Sequence, residues 1–529
     1  MKNIIIGAGL GGLITGILLK QSKLEDEVII YDGNRIPGGF CTAFDKATTY
    51  NDEKIIYTVN IPLISSDFWE NEPFALFLDY LGVKNIQWKQ IDRLFKYYPL
   101  EDDPFLFTQS GALALLERCS SEEERQKLVK FFNLMKKLFN EIFHKAYMNP
   151  TPLQAIKMLF TIPTSVRYLM FDKPYIDVID SIGIETPIIR DILRAAEAFM
   201  GLDVDKISGI GEMLMIQSFL ERKPVQPTGG DNYQTLSNRL FERFTAIGGK
   251  TIFNTTVDKI TFKNNKAKGV IVKGEEILAD NVIISTAQDR IKDLVIDGEN
   301  IPAIKSLIKK IDSLPPPNND FYSYYLIDKK VVDKYPHLTD IAYHIYKLKH
   351  GKDRCNWKLA MSIPDELYND KYYVLWITMA EQDPKETDRW KNLRESDYKK
   401  YTEEKEKVAA KYMELLQESE PIFRENPPLK HLMTFSPASY APYGSTFPIS
   451  GLAQTPDNFG IRRMTPKQLK NLFISGGASF SAGMWGAIAG AWQGFVAIYK
   501  NVYGISIGKH DVMYSPNLKN LPKREYNKK

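Results

Sequence analysis

The sequence predicts an α/β fold in which one parallel-sheet domain is assembled from separated stretches of the chain, with a mixed α+β domain inserted between them. Three observations predict it. A short apolar run, Lys2–Ile6, ends abruptly in Gly7-Ala8-Gly9-Leu10-Gly11-Gly12 and continues into a helical pattern over residues 13–20. A second apolar run, Val28-Ile29-Ile30-Tyr31, ends at Asp32, so strand, turn, helix and strand fit within about 30 residues, the size of one βαβ unit. Far away, residues 471–503 again read as strand, glycine loop and helix.

Between these ends the text changes character. Residues 60–220 read mainly as helices. Ser121 and Glu124 form a capping box ahead of Leu128, Phe131, Phe132, Met135, Leu138 and Phe139 at helical spacing. Thr186 and Pro187 read as the N-cap and first turn of another helix. Residues 155–171 are strongly apolar, broken by Pro163, and carry Lys157 and Arg167. Such a segment either packs over a cavity or lies on a bilayer with its basic groups at the headgroups. Strand-like text returns after Gly229-Gly230, at 251–253, 257–262, 268–272 and 281–285, and residues 300–460 mix strands and helices around Pro315-Pro316-Pro317. The expected division is therefore a first domain from residues 1–60, 222–300 and 460–505, a substrate domain from 61–221 and 301–459, and a basic tail over 506–529.

Composition excludes several classes. The chain has 529 residues, 44% hydrophobic and 25% charged, which fits a globular protein of more than one core. A net charge of +4 from 69 basic and 65 acidic residues is too even for a nucleic-acid partner. Cys41, Cys119 and Cys355 make neither a disulfide framework nor a zinc pattern, so no metal is expected, and so few cysteines suit a reducing compartment. The start does not read as a signal peptide, and no run of about 18 apolar residues occurs. The expectation is a cytoplasmic protein, with peripheral attachment to a membrane surface left open.

The glycine loop has a mechanical reading. Gly7 permits the tight turn, Gly9 lets backbone approach a pyrophosphate, and Gly12 lets helix and strand pack closely. The helix N-terminus then offers free N–H groups and partial positive charge to phosphates. Asp32, about 20 residues on, sits where a carboxylate accepts from ribose hydroxyls. Gly38-Gly39 beyond the acid favours FAD over NAD. The C-terminal segment decides for FAD: Gly476-Gly477 follows a strand, and Gly483-Met484-Trp485-Gly486-Ala487-Ile488 opens a helix whose positive end suits a reduced, anionic flavin.

These residues carry a resemblance. The glycine loop, Pro37-Gly38-Gly39-Phe40-Cys41-Thr42, Pro227-Thr228-Gly229-Gly230 with Leu236 and Leu240, Gly248-Gly249 followed by Val257, and Asn471-Leu472-Phe473 with its glycine helix are similar to the phytoene desaturase, carotenoid isomerase and retinol saturase family, within the FAD-dependent amine oxidase superfamily. The resemblance implies a Rossmann-like FAD-binding domain with an inserted substrate domain. It implies that Gly7, Ala8, Gly9, Leu10, Gly11 and Gly12 hold the pyrophosphate and Asp32 the adenosine ribose. Gly38, Gly39, Phe40, Cys41 and Thr42 would run beside the flavin, Val257 would meet the adenine through its backbone, and Gly476, Gly477, Met484, Trp485 and Ile488 would line the flavin end. Phe40 stands where many relatives have arginine, and Gly477 where an acid is frequent.

No histidine sits in a catalytic motif, and hydride chemistry on C–C bonds does not require one. Tyr57 and Asn60, which follow the glycine pair, and Tyr440 and Tyr443, in a Pro/Gly-bounded loop, are the catalytic candidates. The leading expectation is an FAD-dependent oxidoreductase that desaturates, saturates or isomerises C–C/C=C bonds of a long lipophilic, polyene or isoprenoid-type substrate. Oxygen or a quinone would accept its electrons, because no second dinucleotide fingerprint is present. The alternatives are an amine oxidase and a non-catalytic lipid- or partner-binding protein of the Rab-escort type.

Overall fold

Five short strands form one fully parallel sheet. β1 (Lys2–Ile6) lies at its centre, in register with β2 (Glu27–Tyr31) on one side and with the strand Asn281–Ile284 on the other. Leu472–Ile474 and Lys250–Ile252 form the two edges. The central strands are covered on both faces, which is why they read as unbroken apolar runs rather than alternating ones. The computed structural model describes the chain except for residues 61–63, 66, 71, 109, 146–151, 196–201, 223, 230–231, 316–318, 350–357, 382–383, 444–450, 460–468 and 505–529. Gly230, Cys355 and the basic tail lie outside the described residues, as does the side chain of Tyr443.

The helix α1 (Leu10–Ser22) follows β1 and is buried along nearly its whole length. It packs against the C-terminal helix Gly483–Tyr503 and the helix Gln234–Ala246, so apolar and small residues occur on every side of it. The helix begins earlier than the pattern over 13–20 suggests, because Gly9 is its N-cap and the Gly9 carbonyl accepts from Leu13 N–H at 3.0 Å.

A second, seven-stranded sheet runs in the order Lys430–Phe435, Asn319–Asp328, Tyr372–Glu381, Lys358–Ser362, Tyr343–Lys347, Phe95–Tyr98, Phe105–Phe107. Period-two alternation sorts its side chains into two cores. Phe321, Tyr325, Leu375, Ile377 and Leu359 join Trp390, Tyr401, Tyr412 and Leu416 of the helices Pro384–Ser396 and Tyr398–Ser419. Tyr322, Tyr324, Trp376, Tyr343 and Tyr97 belong instead to the core shared with α1 and the parallel sheet. This aromatic face therefore looks toward the glycine loop.

A hairpin closes the gap between the two sheets. β3 (Ala43–Tyr50) and β4 (Glu53–Asn60) are joined through Asn51 and Asp52, both at positive φ (48° and 60°), as a two-residue turn of the kind that matches strand twist. The Tyr324 hydroxyl ties its end to the second sheet by donating to the Asn60 carbonyl at 2.9 Å.

Two local expectations change. The stretch read as mainly helical contains the strands Trp88–Gln90, Phe95–Tyr98 and Phe105–Phe107, which are too short to show a period; the first two pair with strands far along the chain and the third with Phe95–Tyr98. The capping box forms by half: Glu124 N–H donates to Ser121 Oγ at 3.1 Å, but the Glu124 carboxylate reaches Ser120 instead and also accepts from Glu185 N–H and from Thr186 N–H and hydroxyl. Thr186, expected as an N-cap, thus spends its hydroxyl on Glu124. Among the described residues no helix is long and apolar enough to cross a membrane.

Candidate active site

The glycine loop is tight at two points and open at a third. A Cβ on Gly7, which has φ +106°, would lie 2.4 Å from the Ser285 carbonyl oxygen, and one on Gly12 would lie 2.0 Å from the Gly7 oxygen. At Gly9 the nearest atom is the Gly38 oxygen, 3.9 Å away. Gly9 also caps α1 without any side-chain hydrogen bond to the first turn, which carries no acid. The start of α1, with the positive end of its dipole, thus has no neighbour nearer than van der Waals contact at the Cβ position of Gly9, a place suited to a pyrophosphate. Ala8 and Leu10 are buried beneath this loop. At Gly11 the Cβ position lies 2.5 Å from the Gly476 Cα, so the missing side chain admits the C-terminal loop.

Asp32 reaches the same loop. Its carboxylate accepts from Ala8 N–H at 2.6 Å and from Asn34 N–H at 2.7 Å. Burial pushes its pKa above the usual carboxylate value, against the pull of those two amides. A carboxylate offers about four lone-pair sites, so acceptor capacity is left for ribose hydroxyls. Val257 opens the strand Val257–Lys263, is buried, and its carbonyl accepts from Arg290 at 3.4 Å.

The C-terminal helix is drawn onto the loop before it by absent side chains. A Cβ on Gly490 would lie 1.9 Å from the Gly476 oxygen, and Thr15 Oγ1 of α1 meets Ser475 Oγ at 2.5 Å. Gly476 is thus enclosed by Gly11, Ser285 and Gly490, while the Gly477 carbonyl accepts from Leu452 N–H at 3.2 Å. Met484 and Trp485 are half-buried in the first turn, Trp485 packs on Phe480 with ring centroids 4.9 Å apart, and Ile488 is in the core.

Gly38-Gly39 lies alongside Gly9, with Gly38 N–H donating to the Ala8 carbonyl at 2.9 Å. Beyond it opens a small cleft lined by Gly39, Phe40, Thr42, Phe44, Val59, Asn60, Tyr324, Phe435 and Tyr440. Tyr440 stacks on Phe435 at 5.9 Å and tilts against Phe40 at 6.1 Å, and Phe435 meets Tyr324 edge-on at 5.8 Å. Among the described residues no charged side chain lines this cleft. Of the catalytic candidates, Asn60 and Tyr440 line it, while Tyr57 is buried on the same hairpin and does not. Burial raises the phenol pKa of Tyr57, Tyr324 and Tyr440, so these groups stay protonated. The Cys41 thiol is pushed up to about 12 by burial and is no nucleophile. The Thr42 hydroxyl donates to the Gly39 carbonyl at 3.0 Å.

Polar groups gather behind the cleft. Asp320 shares a strand face with Tyr322 and Tyr324, and Tyr322 donates to it at 3.2 Å. Asp320 keeps partial access to solvent, yet burial among the rings pushes its carboxyl up to about 7. Trp376 and Thr378, directly opposite Tyr324 and Tyr322, hold Nε1 and Oγ1 buried without a hydrogen-bond partner, and so does the Tyr440 hydroxyl. Buried polar atoms of this kind normally have a partner, so three on one face mark room for a ligand group or water. His344, by contrast, bonds Tyr98 at 2.9 Å and is driven down to about 3 by burial. Among the described residues no cluster of three or more His, Cys, Asp or Glu could hold a metal.

Sequence reasoning missed Phe44, Val59, Tyr324, Phe435 and Asp320. The alternation Asp320, Tyr322, Tyr324 in Asn319–Asp328 was the available signal.

No protein-family model and no curated protein sequence matches the chain. Solved structures do. The chain is similar in fold to an oxidoreductase from Methanosarcina mazei, at 16% identity and TM-score 0.58 over 93% of this chain and 99% of that one. It is similar to putrescine oxidase at 13% identity and TM-score 0.58 over 93% and 97%. Cyclohexylamine oxidase from Brevibacterium oxydans aligns at 12% identity and TM-score 0.59 over 95% and 99%. At such identities the likeness is one of fold: a Rossmann-like parallel-sheet domain joined to a second sheet, over almost the whole chain.

Proposed function

We propose that this protein is an FAD-dependent oxidoreductase whose substrate lies between the Gly39–Thr42 loop and the aromatic face of the second sheet. The open cradle at Gly9, the uncapped start of α1 and Asp32 would hold the pyrophosphate and ribose; Gly38, Gly39 and Thr42 would border the ring. Bound FAD supplies a hydride acceptor or donor. This chain's part is to bind, orient and exclude water.

The finer reading is chemistry on C–C or C=C bonds of a long lipophilic substrate. The observation that carries it is the cleft, walled by Phe40, Phe44, Val59, Tyr324, Phe435 and Tyr440 with no charged side chain among the described residues. The resemblance of the glycine motifs to the phytoene desaturase and carotenoid isomerase family supports it. A second reading, an amine oxidase, is favoured by Asp320 and the unpartnered polar atoms behind the cleft, and by the likeness in fold to putrescine and cyclohexylamine oxidases. Gly248-Gly249 joins the end of the helix Gln234–Ala246 to the strand Lys250–Ile252, the reverse of a strand–glycine–helix nucleotide site, so oxygen or a quinone is the proposed acceptor.

Anaerobic mixing of the oxidised protein with isoprenoid or polyene lipids, with amines, and with NADPH separates these readings. Bleaching of the flavin band by a lipid alone is expected. Bleaching by amines alone selects the second reading, rapid bleaching by NADPH overturns the assigned acceptor, and a purified protein with no flavin band overturns the whole.

A further inference from the structure

The helical hairpin Pro152–Thr161 and Pro163–Met170 is held firmly on one side and left bare on the other. At its bend Ile162 is fully buried. At the start of the second helix Ser165 is buried, and both its N–H and its hydroxyl donate to Glu141 Oε2 at 2.8 Å, which places a carboxylate at the positive end of that helix. Tyr168 and Leu169 pack against the core beneath. The hairpin is thus an integral part of the fold.

Its outward surface is apolar. Leu153 is 77% exposed, Phe160 80%, Met170 66% and Phe171 69%, and Ile156 and Leu159 are exposed with them. Among the described side chains of Pro152–Thr161, only Met158 is even half-buried. Scattered exposed apolar residues need no explanation, but a contiguous set on one hairpin marks a docking surface.

The charges around it say what docks. Between Glu141 and Asp172 the sequence contains no acidic residue, while Lys145, Lys157 and Arg167 are exposed. A second copy seated on this face would bring those cations against their own duplicates with no counter-charge. An anionic bilayer complements both features, because aromatic and aliphatic side chains enter the acyl boundary while basic ends stay at the headgroups.

We propose that this hairpin docks the protein on an anionic lipid surface. Phe160, Met170, Phe171, Leu153 and Ile156 enter the headgroup–acyl boundary, and Lys157 and Arg167 pair with lipid phosphates. The inference does not depend on the redox reading, and its test needs no turnover.

Flotation of the full chain with vesicles of phosphatidylcholine, pure or mixed with phosphatidylglycerol, tests it. The wild type should rise with the mixed vesicles and poorly with the neutral ones. Phe160→Asp with Phe171→Asp should lower the bound fraction about tenfold or more, and Lys157→Glu with Arg167→Glu should remove the preference for anionic lipid. Both variants should keep the wild-type melting temperature, since every altered side chain is exposed. A wild type that stays at the bottom, or a doubly aspartate-substituted variant that floats equally well, overturns the proposal. A wild-type dimer in sedimentation that the aspartates dissolve, without flotation, assigns the face to a second copy and overturns it too.

Discussion

The Ala8 amide donates to the Asp32 carboxylate at 2.6 Å, joining the loop after β1 to the end of β2 across the mouth of the proposed pyrophosphate cradle. One carboxylate thereby holds the loop's shape and is also the group proposed to meet the ribose. Structure and the proposed ligand contact share the residue, so variants must separate them.

Asp32→Ala leaves the buried Ala8 N–H without an acceptor, at a cost of about 1–3 kcal/mol, and removes the proposed ribose contact. Asp32→Asn keeps an oxygen for Ala8. The expected order of FAD retained after desalting is wild type, Asn, Ala, with melting temperature falling clearly only in Ala. A full flavin spectrum in Asp32→Ala would refute the assignment.

Gly9 and Gly12 should behave oppositely. Gly9 has ordinary backbone angles (φ −70°, ψ 177°) and no atom nearer than 3.9 Å to its Cβ position, so Gly9→Val should fold and melt like the flavin-free wild type yet lack flavin. Gly12→Ala drives a methyl against the Gly7 oxygen and should lose about 3 kcal/mol or more. Flavin absorbance per protein and thermal melting read both, and an unstable Gly9→Val would mean that the space there is structural.

Glu124 makes an acid-stability prediction. Burial opposes its ionisation, but hydrogen bonds from Thr186 and Ser120 outweigh this and hold the carboxyl down to about 2. A depressed folded pKa adds stability that is complete above the ordinary value of 4.5 and is lost as pH falls toward 2. Glu124→Gln should lose roughly 2–3 kcal/mol at neutral pH and progressively less in acid. Urea unfolding across that range checks it, and a loss independent of pH would contradict it.

Asp320 separates the two substrate readings by pH. Its raised pKa means that folding is penalised increasingly between 3.8 and about 7 and fully above, a penalty that Asp320→Asn removes. If the carboxylate recognises an ammonium group, kcat/KM for amines should rise as pH rises through about 7, and Asp320→Asn should flatten that limb. An uncharged lipid substrate should show neither effect.

Much of the parallel sheet was legible because its determinants are local. Gly7 is required by its positive φ and Gly12 by its contact with the Gly7 carbonyl inside the same turn, and the central strands of the sheet are buried on both faces, so they announce themselves as apolar runs. The capping box at Ser121 was equally local and placed the start of Glu122–Lys145 correctly, while the destination of the Glu124 carboxylate was not, because Thr186 comes from another helix.

The cleft belongs to the tertiary structure. Tyr324 and Asn60, 264 residues apart, meet only because the hairpin β3–β4 spans the gap between two sheets, and Phe435 arrives from a strand that pairs with Asn319–Asp328. The hairpin at residues 152–171 divides the same way. Its apolar, cationic composition was written in the sequence. Whether those side chains faced a cavity or the outside was decided by Glu141 and the core beneath, since packing, not periodicity, determines which side of a helix is covered.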